Sequence, residues 1–405
     1  MQDKRFDVGF DFDQIIDRRG MNAIATDGFR DYLFDGEDVV MPCADDDALV
    51  MWVADMAFAA PPAAVDAMRE RIERPIFGYT VLLDGSLYDA FAGWCERHYE
   101  WVPEREHFVT SAGIVPAVDD LVEYIVKPGE KVLTLSPAYG PFETAATKHG
   151  HQLVTCRLVA SNDGRYTVDF EEFEKKLADP DLRLFILCHP HNPTGRVWAE
   201  DELRRMAELC FAYDVMVVSD EIHCDLLRTG LTHTPLAKLY PESDQIITCM
   251  SSSKTFNLAG LGMANVIIPN TEIRDVWLGR KFPVVNPISA AAATGVFRHG
   301  DRWLEQLHLY LDANFELVRD TLAGQLPDAV FRIPGATYLA WIDLRAYFSP
   351  DVDLTRYFAE RSGVLLEGCH KFIADADGHV RINLACPRSV VENALTKIVA
   401  ATLEQ

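Results

Sequence analysis

The sequence predicts an α/β protein, with a mostly parallel sheet of the seven-stranded type between helical layers in a large domain and a smaller α+β C-terminal domain. With 405 residues, the chain is longer than one ordinary hydrophobic core supports. From about residue 106, short apolar runs alternate with amphipathic stretches, which indicates βαβ units on a parallel sheet. Between Pro283 and Pro287 this regular alternation ends.

The individual elements follow from period-2 and period-3.6 apolar patterns. In the large domain the patterns predict strands at 107–110, 131–135, 152–159, 182–188, 215–219 and 245–250, and helices at 115–126, 170–177 and 200–213. Beyond it they predict helices at 288–297, 301–326 and 354–362, apolar segments at 330–333 and 338–344, and a final strand at 380–384. We therefore expect an N-terminal segment, 1–45, that packs with the small domain, a large domain at 46–289 and a small domain at 290–405.

Composition limits the classes of function. Lysines and arginines number 38 against 62 acidic residues, a net charge of −24. Such a chain is a poor candidate for binding nucleic acids or anionic membranes, which need local basic surface. The nine cysteines form no CxxC pair and several lie in apolar runs, so we expect reduced, buried thiols and no zinc site. With no apolar leader and no stretch of ~18 apolar residues, the expected location is the cytoplasm.

Candidate site residues follow three strands, where ligands gather in a parallel sheet. Gly113 and Ile114 come after the first strand and open a helix, whose free backbone N–H groups favour an anion, although an ordinary tight turn has the same pattern. Tyr139 stands between turn formers, either to stack on a flat ring or to cap a core. Asn192 lies in the run His-Pro-His-Asn-Pro-Thr-Gly, where two prolines and a glycine fix its direction.

Two charged residues carry the chemical argument. Asp220 ends an apolar strand, where a carboxylate is costly unless a cation pairs with it; that cation is either a protonated ring nitrogen or a protein side chain. His223 lies just beyond, either as a catalytic group or, as we expect, as support for Asp220. Lys254 follows the 245–250 run and the serines Ser251 and Ser253. Partial burial lowers the pKa of a lysine and frees its amine for a Schiff base, whereas a surface lysine in a serine-rich loop is the alternative.

Together these residues match the needs of pyridoxal 5′-phosphate. An anion-binding turn suits its phosphate, an aromatic side chain suits its ring, and an amide suits its phenolic oxygen. A carboxylate keeps the ring nitrogen protonated, which makes the cofactor an electron sink.

The sequence resembles the fold-type I pyridoxal-phosphate enzymes of the aspartate aminotransferase superfamily, and within them the MalY/PatB group of carbon–sulfur β-lyases, or cystathionine β-lyases. The resemblance spans residues 51 to 388 and is carried by Met-Trp-Val-Ala-Asp-Met (51–56), Phe-Gly-Tyr-Thr (77–80), His-Asn-Pro-Thr-Gly-Arg-Val-Trp (191–198), Ser-Asp-Glu-Ile-His (219–223), Ser-Lys-Thr-Phe-Asn-Leu-Ala-Gly-Leu (253–261), Tyr-Leu-Ala-Trp (338–341) and Arg-Ile-Asn-Leu-Ala-Cys-Pro-Arg (381–388).

The resemblance implies a role for each matching residue. Lys254 would form the Schiff base and move the α-proton, with Asp220 on the pyridinium, Asn192 on the ring oxygen and Tyr139 on the ring face. The phosphate would be held by Gly113, Ile114, Ser251, Ser253 and, from the neighbouring subunit of a homodimer, Tyr79. Arg381 would bind the substrate carboxylate, although its spacing also fits a surface arginine on an edge strand.

Four positions depart from the group's pattern. Ala57 stands where Asp is usual, and Ala25 and Thr26 stand where Lys-Trp is usual. His189 replaces the usual Asn, and the segment 367–372 replaces the common Pro-Gly form. The first two departures lie in regions that line the substrate side in this superfamily, so they bear on the substrate rather than on the cofactor.

The predicted reaction is α,β-elimination of a sulfur-containing L-amino acid to a thiol, pyruvate and ammonia. Transamination uses the same residues and is the first alternative. The second is a lyase-like protein that serves as a regulatory binding partner, and a minor one is a structural Lys254 with no cofactor.

Overall fold

The computed structural model describes residues 9–281 and 284–404. Its strands are β1 Leu49–Val50, β2 Phe108–Ser111, β3 Lys131–Ser136, β4 Ala138–Tyr139, β5 Gln152–Ala160, β6 Tyr166–Val168, β7 Leu182–Cys188, β8 Met216–Asp220, β9 Ile246–Met250, β10 Ala264–Ile267, β11 Leu339–Asp343, β12 Val364–Leu365, β13 Glu367–Gly368, β14 Phe372–Ile373 and β15 His379–Asn383. Its α-helices are α1 Ile24–Asp27, α2 Phe29–Phe34, α3 Pro62–Ile72, α4 Ser86–Tyr99, α5 Ile114–Ile125, α6 Pro141–Lys148, α7 Phe170–Leu177, α8 Glu200–Ala212, α9 Leu236–Leu239, α10 Ser252–Thr255, α11 Thr271–Arg280, α12 Pro287–His299, α13 Asp301–Gln325, α14 Leu354–Ser362 and α15 Arg388–Leu403.

A large mixed sheet forms the centre of the molecule, in the order β2-β10-β9-β8-β7-β3-β5-β6. From β9 to β5 neighbouring strands are parallel, whereas β10 runs antiparallel to both neighbours and β6 is antiparallel at the edge. The predicted α/β class with a mostly parallel sheet is confirmed. The short β6 adds an eighth strand to the seven expected.

Helices cover both faces of this sheet. Along β7 the side chains of Leu184 and Ile186 join one apolar cluster, with α5 and α6. Their neighbours Phe185 and Leu187 join another, with α7 and α8. Successive residues of a strand point to opposite faces, so the continuous apolar run of β7 is explained by burial on both sides. This arrangement is the predicted α/β/α sandwich.

A second sheet lies in the C-terminal third, in the order β11-β15-β13 with antiparallel pairing throughout. Ala340 and Ile342 of β11 and Val380 and Ile382 of β15 form one apolar cluster with α13, α14 and α15. The apolar segment at 330–333 makes no strand, because only Val330 forms a bridge, to Asp343. The central position of β15 matters for the site, since it carries Arg381 in its middle.

Three further features bear on the predictions from composition. All nine cysteines are free, and eight of them are buried. Within the described ranges no group of His, Cys, Asp and Glu side chains is arranged to hold a metal ion. None of the described helices combines the length and the apolar character that crossing a membrane requires.

Candidate active site

Most predicted site residues meet in one cavity of about 260 Å³ at the carboxyl ends of the central strands. Parallel strands β7, β8 and β9 end side by side there, with Cys188 opposite Asp220 and Asp220 opposite Cys249. The predicted residues that line the cavity are Gly113, Ile114, Tyr139, Asn192, Asp220, His223, Ser253 and Lys254. The topology therefore assembles residues spread over 142 positions of the chain, from 113 to 254.

Lys254 lies where β9 passes into the short helix α10. The Ser251 hydroxyl caps this helix by accepting from the Ser253 N–H at 3.0 Å. The Nζ of Lys254 donates to the carbonyl of Ala54 at 2.6 Å. Burial, followed by the charge of Arg381, lowers the pKa of Lys254 to about 8. A lysine with this pKa has a substantial neutral, nucleophilic fraction near neutral pH.

Asp220 is the last residue of β8 and is 4% exposed. It accepts a hydrogen bond from the backbone N–H of Ile222 at 3.1 Å. Burial raises the pKa of Asp220 to about 7, and the nearby charge of Lys254 opposes that rise only in part. The adjacent Glu221 accepts from His233 at 2.6 Å instead. Because Asp220 is buried and its pKa is raised, its charged form would be stabilised by a cation in the cavity.

Asn192 and His223 line the same cavity as Asp220. The Asn192 Oδ1 accepts from Arg381 at 3.0 Å, which leaves the amino group of the amide as a donor. Burial lowers the pKa of His223 to about 3, so the ring is neutral. Its Nδ1 is buried without a hydrogen-bond partner among the described residues. The neutral ring beside Asp220 agrees with a supporting position, although no contact between the two fixes that role.

The anion-binding end of the cavity is built from backbone. Helix α5 begins at Ile114 with Gly113 as its N-cap, and no side chain caps it, so its first N–H groups remain for a ligand. Gly262 closes the same wall with φ +56°, and an added Cβ would lie 2.9 Å from the carbonyl oxygen of Ala112. Only glycine allows this approach. Tyr139 lines the opposite part, held in β4 by its pairing with Phe372 of β14.

Arg381 is 2% exposed, in the central strand β15, so the alternative of a surface arginine on an edge strand is wrong. Its guanidinium donates to the Asn192 side chain and to the carboxylate of Glu367, its cross-strand neighbour. The Nε has no partner among the described residues. Arg381 thus contacts the cavity through Asn192 without lining it.

Two further predicted residues, Ser251 and Tyr79, lie outside the cavity wall. The Ser251 hydroxyl is occupied within the protein, donating to the carbonyl of Met263 at 2.6 Å as well as capping α10. Tyr79 is 90% exposed in the segment between α3 and α4. A single chain does not bring Tyr79 to the cavity.

Two of the departures from the group pattern meet in one place. Ala57 and Thr26 both line a neighbouring cavity of about 410 Å³, together with Arg18 and Asp55. Ala25 is fully buried, and its carbonyl accepts from the indole of Trp52 at 3.1 Å. The ring of His189 lies 4.4 Å from that of His233, behind the carboxylate of Glu221 rather than in the cavity.

Sequence reasoning missed several groups at the site. Ala54 supplies the carbonyl that accepts from both Lys254 and the Tyr338 hydroxyl, the latter at 2.8 Å. Cys188 and Met263 line the cavity with nothing in their local sequence to mark them. Ala54 and Tyr338 lie in motifs that carry the family resemblance, which was the available signal. Glu367 was visible only as a departure from a family pattern.

Comparisons with known proteins agree with this geometry. The family model for class I and II aminotransferases matches residues 49–398. Cystathionine beta-lyase PatB of Bacillus subtilis is 37% identical over 365 residues, covering 88% of this chain and 92% of PatB. Protein MalY of Escherichia coli is 30% identical over 399 residues, covering 97% and 98%. A PLP-bound C-S lyase from Staphylococcus hominis superposes with a TM-score of 0.93 at 41% identity, over 98% of this chain and 99% of that one. The chain therefore belongs to the class I and II aminotransferase family, in the group that includes PatB and MalY.

Proposed function

We propose that this protein is a pyridoxal-phosphate-dependent carbon–sulfur β-lyase, which cleaves a sulfur-containing L-amino acid, with one water, to a thiol, pyruvate and ammonia. One observation carries the proposal: the cavity holds Lys254 with a pKa lowered to about 8 together with Asp220 with a pKa raised to about 7. A nucleophilic amine beside a carboxylate that needs a cation is the pair that a pyridoxal cofactor requires.

The donor set fits that cofactor. Asp220 would pair with a protonated ring nitrogen, which supplies the charge that the buried carboxylate otherwise lacks. The amino group of Asn192 would donate to the ring oxygen, and Tyr139 would cover the ring. Gly113, Ile114 and Ser253 would bind the phosphate at the start of α5. Ser251 would act indirectly, by holding Ser253 in position.

Pyridoxal phosphate, when bound, supplies an electron sink for the carbanion at the substrate α-carbon. Arg381 would bind the substrate α-carboxylate and so orient the α-hydrogen toward Lys254. The Nζ of Lys254 would accept that proton, for which its amine must be neutral. The carbonyl of Ala54 holds this amine at 2.6 Å and limits its directions of approach.

The decisive experiment supplies purified holoenzyme with L-cystathionine in the absence of any keto acid. We expect pyruvate and a free thiol in equal amounts. Release of neither, together with amino transfer to an added keto acid, would assign the protein to the aminotransferases instead. Lys254→Ala should abolish turnover and the part of the cofactor absorbance that depends on its covalent bond to Lys254. Lys238→Ala is the matched control, because Lys238 also donates to a backbone carbonyl, at 2.8 Å, but lies outside the cavity.

We also propose that the protein acts as a homodimer in which Tyr79 reaches the neighbouring site. The segment around Tyr79 exposes large apolar side chains: Ile76 is 81% exposed, Phe77 55% and Leu83 87%. Apolar surface of this extent within eight residues is typical of a protein interface.

A complementation experiment tests this arrangement. In a mixed dimer of Tyr79→Phe and Lys254→Ala chains, one site would combine a native Lys254 with a native Tyr79 from the partner. Mixing the two weakly active variants should then restore up to about a quarter of wild-type activity, as expected for random re-association. No gain on mixing would place Tyr79 outside the neighbouring site.

The domain boundaries and the cellular location also remain proposals. Residues 46–289 and 290–405 are proposed as the two domains, supported by the separate apolar cluster of α13 to α15 and the second sheet. A cytoplasmic location is proposed because nine unpaired cysteines suit a reducing compartment.

A further inference from the structure

The arginine proposed to bind the substrate carboxylate already has a carboxylate partner inside the protein. Glu367 of β13 and Arg381 of β15 are directly opposite each other in the antiparallel pairing, so their side chains lie on the same face. They form an ion pair in which Glu367 is 4% exposed and Arg381 is 2% exposed. The same guanidinium donates to Asn192, which lines the cavity.

The charge of Glu367 extends to the reacting groups. Its carboxylate is one of the charges that oppose the fall in the pKa of Lys254, after burial, Arg381 and two other carboxylates. It also contributes to the raised pKa of Tyr139, whose main cause is burial. A charge that acts on both side chains acts on a substrate held between them, since little water screens it there.

A second arginine near the site is also paired with a carboxylate inside the protein. Arg18 pairs with Asp55 through two hydrogen bonds, of 3.0 and 2.5 Å. Asp55 in turn lies close enough to Lys254 to oppose the fall in its pKa. Each of the two arginines is therefore already paired with one carboxylate before a substrate arrives.

We propose that Glu367 is a specificity-determining residue of the lyase: it leaves Arg381 able to bind one substrate carboxylate and repels a second. The accepted substrates are then cysteine conjugates whose sulfur substituent carries no net negative charge, which includes the zwitterionic substituent of cystathionine, and conjugates with an anionic substituent are disfavoured. This inference rests on the proposed function, because it names the substrate class of the same site. It also disfavours short dicarboxylic amino acids and keto acids, the usual partners in amino transfer.

The test compares three conjugates of similar length: S-(2-hydroxyethyl)-, S-(2-aminoethyl)- and S-carboxymethyl-L-cysteine. Holoenzyme is assayed at pH 8.5, because burial raises the pKa of the Glu367 carboxyl although Arg381 opposes the rise. We expect the wild type to prefer the neutral and cationic conjugates over the carboxymethyl one by at least about tenfold in kcat/KM. Glu367→Gln should reduce that preference by about tenfold or more, mainly through KM for the carboxymethyl compound.

Two further variants keep the result interpretable. Glu367→Asp retains the charge and should retain the wild-type ranking, even if absolute rates fall. Glu392→Gln, on the exposed face of α15, removes the same charge far from the site and should leave the ranking unchanged. If Glu367→Gln binds cofactor and keeps the wild-type ranking, Glu367 does not determine specificity. If the wild type eliminates none of the three, the proposed function fails, and Glu367 is then judged by the affinities of the three compounds, read from the change in cofactor absorbance.

Discussion

Asp220→Asn should stabilise the cofactor-free protein, although it removes a group of the proposed active site. Burial raises the pKa of Asp220 from 3.8 to about 7, so between these pH values the folded state holds a proton that the unfolded state has lost. The free energy of unfolding therefore falls as the pH rises from about 4 to about 7, and the deficit is complete above pH 7. The neutral amide of Asn has nearly the same shape and carries no such penalty.

The size of the effect follows from the pKa. A rise from 3.8 to about 7 corresponds to at most ~4 kcal/mol, at 1.36 kcal/mol per pH unit. Asn keeps an oxygen that can accept from the N–H of Ile222, so this hydrogen bond persists in a weaker, uncharged form. We expect a net gain of about 2–4 kcal/mol at pH 8 and almost none at pH 4. Burial also raises the pKa of Glu221 to about 7, and the charge of Glu221 contributes to the raised pKa of Asp220, so the variant also removes this repulsion.

The assay is urea unfolding of the two apoproteins across pH 5 to 8.5, repeated after reconstitution with pyridoxal phosphate. The cofactor should reverse the order, because its protonated ring pairs with Asp220 and has no such partner in the Asn variant. If the Asn apoprotein is no more stable than the wild type at pH 8, the carboxylate has a cationic partner in the apoprotein. That result would refute the expectation that Asp220 lacks a cationic partner in the apoprotein.

Three other measurements bear on the site. The rate of cofactor reconstitution should rise with a midpoint near pH 8, because only the neutral amine of Lys254 attacks and its pKa is lowered to about 8; a midpoint above pH 10 would contradict that pKa. Arg381→Lys should raise KM by about ten- to a hundredfold with little change in kcat, since a lysine cannot bind a carboxylate bidentately. An unaltered KM in steady-state kinetics would contradict the proposed role of Arg381. Gly195→Ala should lower the free energy of unfolding by about 1–3 kcal/mol more than Gly230→Ala. Both glycines have positive φ, but only the Gly195 Cβ would collide, 2.3 Å from Pro334, so equal losses in urea unfolding would exclude that clash.

The cofactor half of the site could be predicted because it depends on local sequence and on one rule of topology. Asp220 and Lys254 each follow a strand that reads as apolar, and parallel strands bring their carboxyl ends to one edge. The boundaries of β7, α7 and α14 coincide with the predicted ones for the same reason: each is a strongly patterned run with clear ends.

The elements that were not predicted from the sequence have weak local patterns and are determined by tertiary contacts. Helix α3 was not predicted, because its contact with α12 is made by small residues: a Cβ on Gly295 would lie 2.5 Å from the carbonyl oxygen of Ala63. Close backbone approach of this kind leaves no row of large apolar side chains to read. Glu367 was missed as a functional residue because β13 is two residues long, and its register with β15 is set by the sheet rather than by its own sequence.

The two halves of the site differ in how complete they are without ligands. On the substrate side, Arg381 is held by Glu367 and Asn192, so the guanidinium proposed to bind the substrate carboxylate is oriented in advance. On the cofactor side, the amine of Lys254 and the carboxylate of Asp220 are both buried. Burial lowers the pKa of Lys254 and raises that of Asp220, so the uncharged form of each group is favoured. A ligand that offers a carbonyl to Lys254 and a cation to Asp220 would offset the free-energy cost of burying both groups.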